Sequence, residues 1–146
     1  PVQEMASLAG EILYQGNGEN IVLSKIEGNA YRAKIRFGEN TFFTILLGRD
    51  EDRSISLVHD TKGLRIVTKG VKSEGIDFKA DVEEVRDLEI YMDRRVAEIY
   101  VNEGEAVGTK LFYNTLQNGC FELCAMKAGN VLQAELVMMK SIWRPE

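Results

Sequence analysis

Proline is nearly missing from this 146-residue chain: there are two, Pro1 and Pro145, both at the ends. The interior therefore lacks rigid linkers and the proline-rich composition of a disordered segment. No apolar run approaches the ~20 residues that a membrane-spanning helix needs, and no signal peptide is visible. Positive charge is in deficit, 18 Lys+Arg against 23 Asp+Glu, giving a net charge of −5. That balance argues against nucleic acid or an anionic membrane surface as partner. One histidine, His59, and two cysteines, Cys120 and Cys124, leave too few ligands for a zinc site, so no metal and no cofactor are expected. The cysteines are four apart in Cys-Phe-Glu-Leu-Cys. On a strand that spacing is ~13 Å, beyond disulfide reach, so both read as reduced strand residues and favour a cytoplasmic compartment. Residue 1 is Pro rather than Met, so a leader upstream of it stays open.

Against these absences stand 13 glycines and a hydrophobic fraction of 45%. The length fits a single domain with a core of its own. The glycines punctuate short apolar–polar alternations, the pattern of an all-β sandwich or barrel. Segment 30–37 is the cleanest: Tyr31, Ala33, Ile35 and Phe37 face one way, Arg32, Lys34 and Arg36 the other. Segment 41–47 is apolar on both faces, as in a central strand or one whose outer face meets something else, such as a docked domain. Segments 54–59 and 64–69 read as strands joined by the turn Asp60-Thr61-Lys62-Gly63. A polar, irregular stretch, 70–86, separates two halves. Segments 119–126 and 131–140 read as a further pair around Ala128-Gly129-Asn130. The first segment, 2–14, mixes both periods and reads as a short helix or an edge strand, ended by Gly16-Asn17-Gly18.

A central hairpin can be put in register from parity alone. Leu88, Ile90 and Met92 alternate inward on one segment; Ala97, Ile99 and Val101 do so on the next. Ile90 opposite Ile99 sets Leu88 against Val101 and Met92 against Ala97, and a one-residue slip destroys every inward pair. Asp93-Arg94-Arg95-Val96 then forms the turn, led by Asp. The outer face pairs Tyr91 with Glu98 and Glu89 with Tyr100. Asn102-Glu103-Gly104-Glu105 turns the chain again, with Gly104 free to take positive φ.

The stretch LEIYMDRRVAEIYVNEGEAVGTKLFY at 88–113 resembles the C-terminal β-sandwich of glycoside hydrolase family 32, the invertase, levanase, inulinase and sucrose-6-phosphate hydrolase family. The matching positions are Leu88, Ile90, Asp93, Glu98, Asn102, Gly104, Thr109 and Tyr113. Arg95, Ala97 and Tyr100 depart from the family's usual Ser, larger aliphatic and Phe. Residues 1–8 resemble the segment leaving the family's catalytic propeller, and Leu136 to Trp143 its closing strand. The resemblance implies a single accessory domain over 1–146, with 1–10 as the entry segment. It implies a two-layer antiparallel β-sandwich of jelly-roll or concanavalin-like type. The implied partner is an N-terminal five-bladed propeller of the same polypeptide, which this domain would stabilise, or subunits it would join as a homo-oligomer. The parent would cleave β-fructofuranosides, but the family's N-D-P-N-G, R-D-P and E-C catalytic motifs are absent from this chain.

Candidate site residues on the hairpin's outer face are Glu89, Tyr91, Asp93, Glu98, Tyr100 and Asn102, as contacts to a domain or to a sugar. Asp93 and Glu98 are diagonal neighbours ~7–8 Å apart in backbone. A retaining glycosidase places its carboxyls ~5–5.5 Å apart, but it also needs an apolar pocket to raise one pKa, which an outer sheet face does not offer. No catalytic residue is therefore assigned. Tyr91, Tyr100, Tyr113 and Trp143 are the aromatic candidates for stacking a fructan or another glycan in an independent binding module, the alternative reading. His59 ends an alternating strand on the face of Ile55 and Leu57, where a hydrogen-bonded core-edge role is expected. Asp50-Glu51-Asp52 lacks the ligand spacing of a calcium loop.

Overall fold

The alternations close into two antiparallel sheets. The computed structural model describes residues 9–26, 30–70, 73–74, 79–80, 82–93, 96–104, 106–112 and 119–139. The strands are β1 (Ala9–Gly16), β2 (Ile21–Ile26), β3 (Ala30–Phe37), β4 (Phe43–Arg49), β5 (Ser54–Asp60), β6 (Gly63–Lys69), β7 (Ser73–Glu74), β8 (Lys79–Ala80), β9 (Asp87–Asp93), β10 (Val96–Val101), β11 (Ala106–Phe112), β12 (Gly119–Ala125) and β13 (Val131–Met139). One sheet runs β1-β13-β3-β9-β10-β11-β7 and the other β2-β12-β4-β5-β6-β8. Their inner faces meet in one core, so the fold is the expected β-sandwich.

Parity organises that core. Across the first sheet, Ile99 faces Ile90, Ile90 faces Ala33 and Ala33 faces Leu136, all with no measurable exposure. Across the second, Leu123 faces Ile45 and Ile45 faces Leu57, again fully buried. Phe37 and Phe43 stack between the layers at 4.5 Å. Tyr31 supplies the polar tie: its hydroxyl, buried with the ring, donates to Leu47 O at 3.3 Å and Cys120 O at 3.2 Å. A strand of one sheet is thereby fastened to two strands of the other, and burial holds the phenol's pKa well above its ordinary value.

The hairpin register is as expected: Leu88 faces Val101, Ile90 faces Ile99 and Met92 faces Ala97. Thr41, just before β4, is buried, and the strand is central, between β12 and β5. Its outer-face residues Phe42 and Leu46 are half-buried. His59 is buried, with Nδ1 3.0 Å from Thr41 O and Nε2 3.3 Å from Val82 O, the core-edge role expected of it. The segment 9–16 is an edge strand, which settles the helix-or-strand alternative for its described part.

One expectation fails. The segments 119–126 and 131–140 are not a pair: β12 lies in one sheet and β13 in the other, and the short 3-10 turn Ala128–Asn130 carries the chain across the core. Both strands alternate, so local pattern alone cannot separate a hairpin from such an arch. The irregular stretch 70–86 also contains two-residue strands, β7 and β8, too short to show a period. From the same stretch Val85 enters the core fully buried. Residues 1–8 of the proposed entry segment 1–10, the turn residues Arg94 and Arg95, Glu105, Tyr113 and Trp143 lie outside the described residues, as does the side chain of Thr109. Cys120 is buried and Cys124 exposed, both as free thiols. No described helix is long and apolar enough to cross a membrane.

The β5–β6 turn is held by its leading aspartate. Asp60 accepts from Lys62 N at 2.8 Å and from Arg65 through both carboxylate oxygens, at 2.7 and 3.0 Å, while Gly63 takes φ +100°. The Arg65 hydrogen bonds, then the Lys62 N–H, pull the Asp60 pKa down to about 2. A depressed carboxyl contributes stability that is full above its unfolded pKa near 3.8 and is lost as pH falls through about 2. The stability difference between wild type and Asp60→Asn should therefore be constant above about pH 4 and shrink towards pH 2. Urea titrations of both proteins across that range check it; a difference unchanged at pH 2 would refute the pairing. The core register has its own check. Ile99→Ala should cost ~2–5 kcal/mol and Glu89→Ala less than ~1 kcal/mol. Equal small losses in denaturant would show the register to be wrong.

Candidate functional site

The outer face of the first sheet is built of cross-strand rows. Antiparallel pairing sets Gln133 beside Arg36 and Arg36 beside Asp87. The next row runs Glu135, Lys34, Glu89, Tyr100. The one after runs Val137, Arg32, Tyr91, Glu98, and the last brings Met139 beside Ala30 and Ala30 beside Asp93. The face is therefore charged at one end and apolar at the other.

At the apolar end Ala30, Tyr91 and Met139 form a second cluster, separate from the core, with Tyr100 packed against it. Tyr91 is only 6% exposed, so its ring faces do not offer an open platform. Its hydroxyl donates to Glu89 at 3.0 Å, and its ring stands edge-on to Tyr100 with centroids 5.9 Å apart. Burial first, then the Glu89 charge and hydrogen bond, push the Tyr91 phenol up to about 12. Tyr100, half-buried, donates to Glu98 at 3.4 Å; its phenol is raised by burial and then by Glu98. Arg32 Nε and Glu98 Oε1, on either side of Tyr91, are buried without a hydrogen-bond partner. Each leaves a desolvation cost uncompensated.

At the charged end a groove of about 470 Å³ opens over β3, β9 and β13, with Tyr100 on its wall. The ion pairs in it are loose: Lys34 to Glu89 at 3.7 Å and Arg36 to Asp87 at 3.9 Å. Arg32 reaches diagonally to Glu135 at 3.3 Å, and Gln15 Nε2 donates to the other Glu135 oxygen at 3.3 Å.

The other candidate residues hold turns. Asp93 Oδ1 accepts from Val96 N at 2.8 Å, capping its hairpin. Asn102 opens the next turn with φ +50°, followed by Glu103 at +58° and Gly104 at +92°. Its Oδ1 accepts from Arg86 N at 2.7 Å and Asp87 N at 3.1 Å, and its Nδ2 donates to Glu84 O at 2.8 Å. One side chain thus pins the segment before β9 to the turn after β10. Of the six candidates, Glu89 and Tyr100 line the groove. Tyr91 and Glu98 support Tyr100 from the side, and Asp93 and Asn102 fix the loops. Lys34, Arg36, Asp87, Gln133 and Glu135 were not singled out from sequence as site residues. Their alternation is legible, but their meeting depends on β13 lying beside β3. Among the described residues no cluster of three or more metal-ligating side chains forms.

The profile described as "Glycosyl hydrolases family 32 C terminal" matches residues 7–139. The chain belongs to this family. Among solved structures it is similar to a glycoside hydrolase family 32 protein from Bifidobacterium adolescentis, with 26% identity and a TM-score of 0.77; the match covers 99% of this chain and 24% of that one. It shares its fold with sucrose-6-phosphate hydrolase from Lactobacillus gasseri at 23% identity and TM-score 0.69, covering 97% of this chain and 30% of that one. The same holds for exo-inulinase from Aspergillus awamori at 14% identity and TM-score 0.59, covering 95% and 31%. The chain thus spans about a quarter to a third of the length of these proteins. No curated protein sequence matches it.

In this family 32 C-terminal domain Asn102 makes a clear test. Asn102→Ala removes three hydrogen bonds and places a Cβ residue of poor left-handed propensity at φ +50°, so it should cost ~2–4 kcal/mol. Asn102→Gly restores the backbone freedom and should lose less. Urea denaturation compares them; equal losses would mean that backbone conformation contributes nothing there.

Proposed function

We propose that this domain is the non-catalytic accessory sandwich of a β-fructofuranosidase-type hydrolase acting on sucrose, sucrose 6-phosphate or fructans. It packs against an N-terminal catalytic propeller of the same polypeptide, stabilising it or joining subunits. The observation that carries this reading is the coverage: nearly all of the chain aligns with only 24% of a family 32 protein. The family's catalytic motifs do not occur in the sequence. Covalent glycosidase chemistry needs a positioned nucleophile and acid, and here Asp93 is spent capping a turn.

The apolar end of the outer face supports a contact role. Ala30, Tyr91 and Met139 form an apolar cluster of their own on this outer face, apart from the core. Two unpartnered buried polar atoms lie in the same row, and such local violations concentrate where a surface serves something besides its own stability. Contacts between domains of one chain commonly bury ~600–1,500 Å² and are partly polar, which suits tyrosines interleaved with Glu89 and Glu98.

The purified 146-residue chain should show no turnover of sucrose, sucrose 6-phosphate, inulin or levan. Removing it from a polypeptide that carries the propeller should lower that protein's melting temperature or dissociate its subunits. Activity in the isolated chain that vanishes in Asp93→Asn or Glu98→Gln would overturn the reading. So would a propeller whose stability and assembly are indifferent to the deletion.

A further inference from the structure

The groove at the charged end of the outer face has features that a docking surface does not need. Its volume, about 470 Å³, lies within the ~300–1,000 Å³ usual for small-molecule sites. Its walls are rigid. On one side stand the cross-strand rows of β13, β3 and β9; on another, the Asn102–Gly104 turn, clamped by the Asn102 side chain. Tyr100 is held by its hydrogen bond to Glu98 and by the edge contact with Tyr91, so its ring is oriented before any ligand arrives.

The polar lining selects by charge. Lys34 and Arg36 alternate with Asp87, Glu89 and Glu135, so acids outnumber bases and a phosphorylated or otherwise anionic ligand meets net repulsion. The Lys34–Glu89 and Arg36–Asp87 pairs, at 3.7 and 3.9 Å, are longer than a hydrogen bond, and Lys34 and Arg36 are 55% and 64% exposed. Each pair leaves room for a bridging group, although the Glu89 oxygen nearest Lys34, Oε2, already accepts from the Tyr91 hydroxyl. A hydroxyl fits between them, donating to the carboxylate and accepting from the ammonium or guanidinium. Gln133, exposed at the rim, offers both a donor and an acceptor. Adjacent hydroxyls on a ring, plus an apolar ring face for Tyr100, define a neutral sugar.

From this arrangement we infer that the groove formed by Lys34, Arg36, Glu89, Tyr100, Gln133 and Glu135 is a binding site for a neutral oligosaccharide. The site holds glycan beside the enzyme rather than cleaving it. It stands on the groove's own chemistry and does not depend on the accessory role proposed above.

The test is a titration of the isotope-labelled 146-residue chain, followed by amide NMR shifts. The probes are nystose, maltotetraose and sucrose 6-phosphate. The expected result is saturable, millimolar binding of at least one neutral probe, with shifts centred on Lys34, Tyr100, Gln133 and Glu135. Sucrose 6-phosphate should bind at least about threefold more weakly than the better neutral probe. Tyr100→Ala and Gln133→Ala should each weaken binding about tenfold. Gln133 is exposed, so its variant keeps the fold and reports on binding alone. The inference is overturned if neither neutral probe gives saturable shifts, if the shifts lie away from the groove, if Gln133→Ala binds like wild type, or if the phosphorylated probe binds most tightly. Those results would leave the hydrolase assignment standing, because that rests on the sequence match and on coverage.

Discussion

Ile99, Ile90, Ala33 and Leu136 lie in one row across four strands, each without exposure. This row sets the parity of β10, β9, β3 and β13 together. A slip of one residue in any of them would turn Glu89, Arg32 or Glu135 into the core, at several kcal/mol for each unpaired buried charge. The outer face is therefore not chosen independently. Once the inner row is fixed, the neighbours of Lys34 and Tyr91 on the opposite face follow from the pleat. The groove and the apolar cluster are both consequences of a core constraint on the other side of the sheet.

The same dependence explains what could be read from sequence. The 88–101 hairpin was legible because its two segments are adjacent and only one register buries every apolar residue. His59 was legible because a single polar residue on an otherwise apolar face has to find buried partners, and it does so at Thr41 O and Val82 O. The arch from β12 to β13 was not legible. Its sequence offers alternation, a short polar break and alternation again, which is also the pattern of a hairpin. What sends β13 to the other sheet is its match with β3: Leu136 against Ala33 and Ala134 against Ile35, partners about a hundred positions away. Gln133 and Glu135 inherit their place in the groove from that long-range pairing, so no local reading could have set them beside Lys34.

Buried polar groups tie the layers where apolar packing alone would let them slide. Tyr31 reaches from β3 to the carbonyls of Leu47 and Cys120 on the opposite sheet, and its ring meets Phe121 edge-on at 6.0 Å. Both acceptors are main-chain oxygens, so the tie fixes backbone position rather than a rotamer. His59 does the equivalent at the edge, binding the chain before β4 and the segment carrying Val82 and Val85. The irregular stretch 70–86 is thus anchored at its end by a histidine hydrogen bond and the fully buried Val85, although its strands are too short to hold it by ladder bonds.

The two ends of the outer face ask for different things from whatever meets them. At the Tyr91 end, water is already excluded and the available gain lies in giving Arg32 Nε and Glu98 Oε1 the partners they lack, which the polar groups of a protein surface can supply. At the Lys34 end the ion pairs are stretched and solvated, so covering them with protein would cost desolvation without a compensating contact. A small polyol, by contrast, replaces water hydroxyls with its own and leaves the charges hydrated at their far sides. Tyr100 stands at the boundary: it packs against the Tyr91 cluster, with ring centroids 5.9 Å apart, and it also lines the groove. Under the two proposals, a domain contact at one end would stiffen the ring that the other end uses, and the two roles would be coupled through this single side chain.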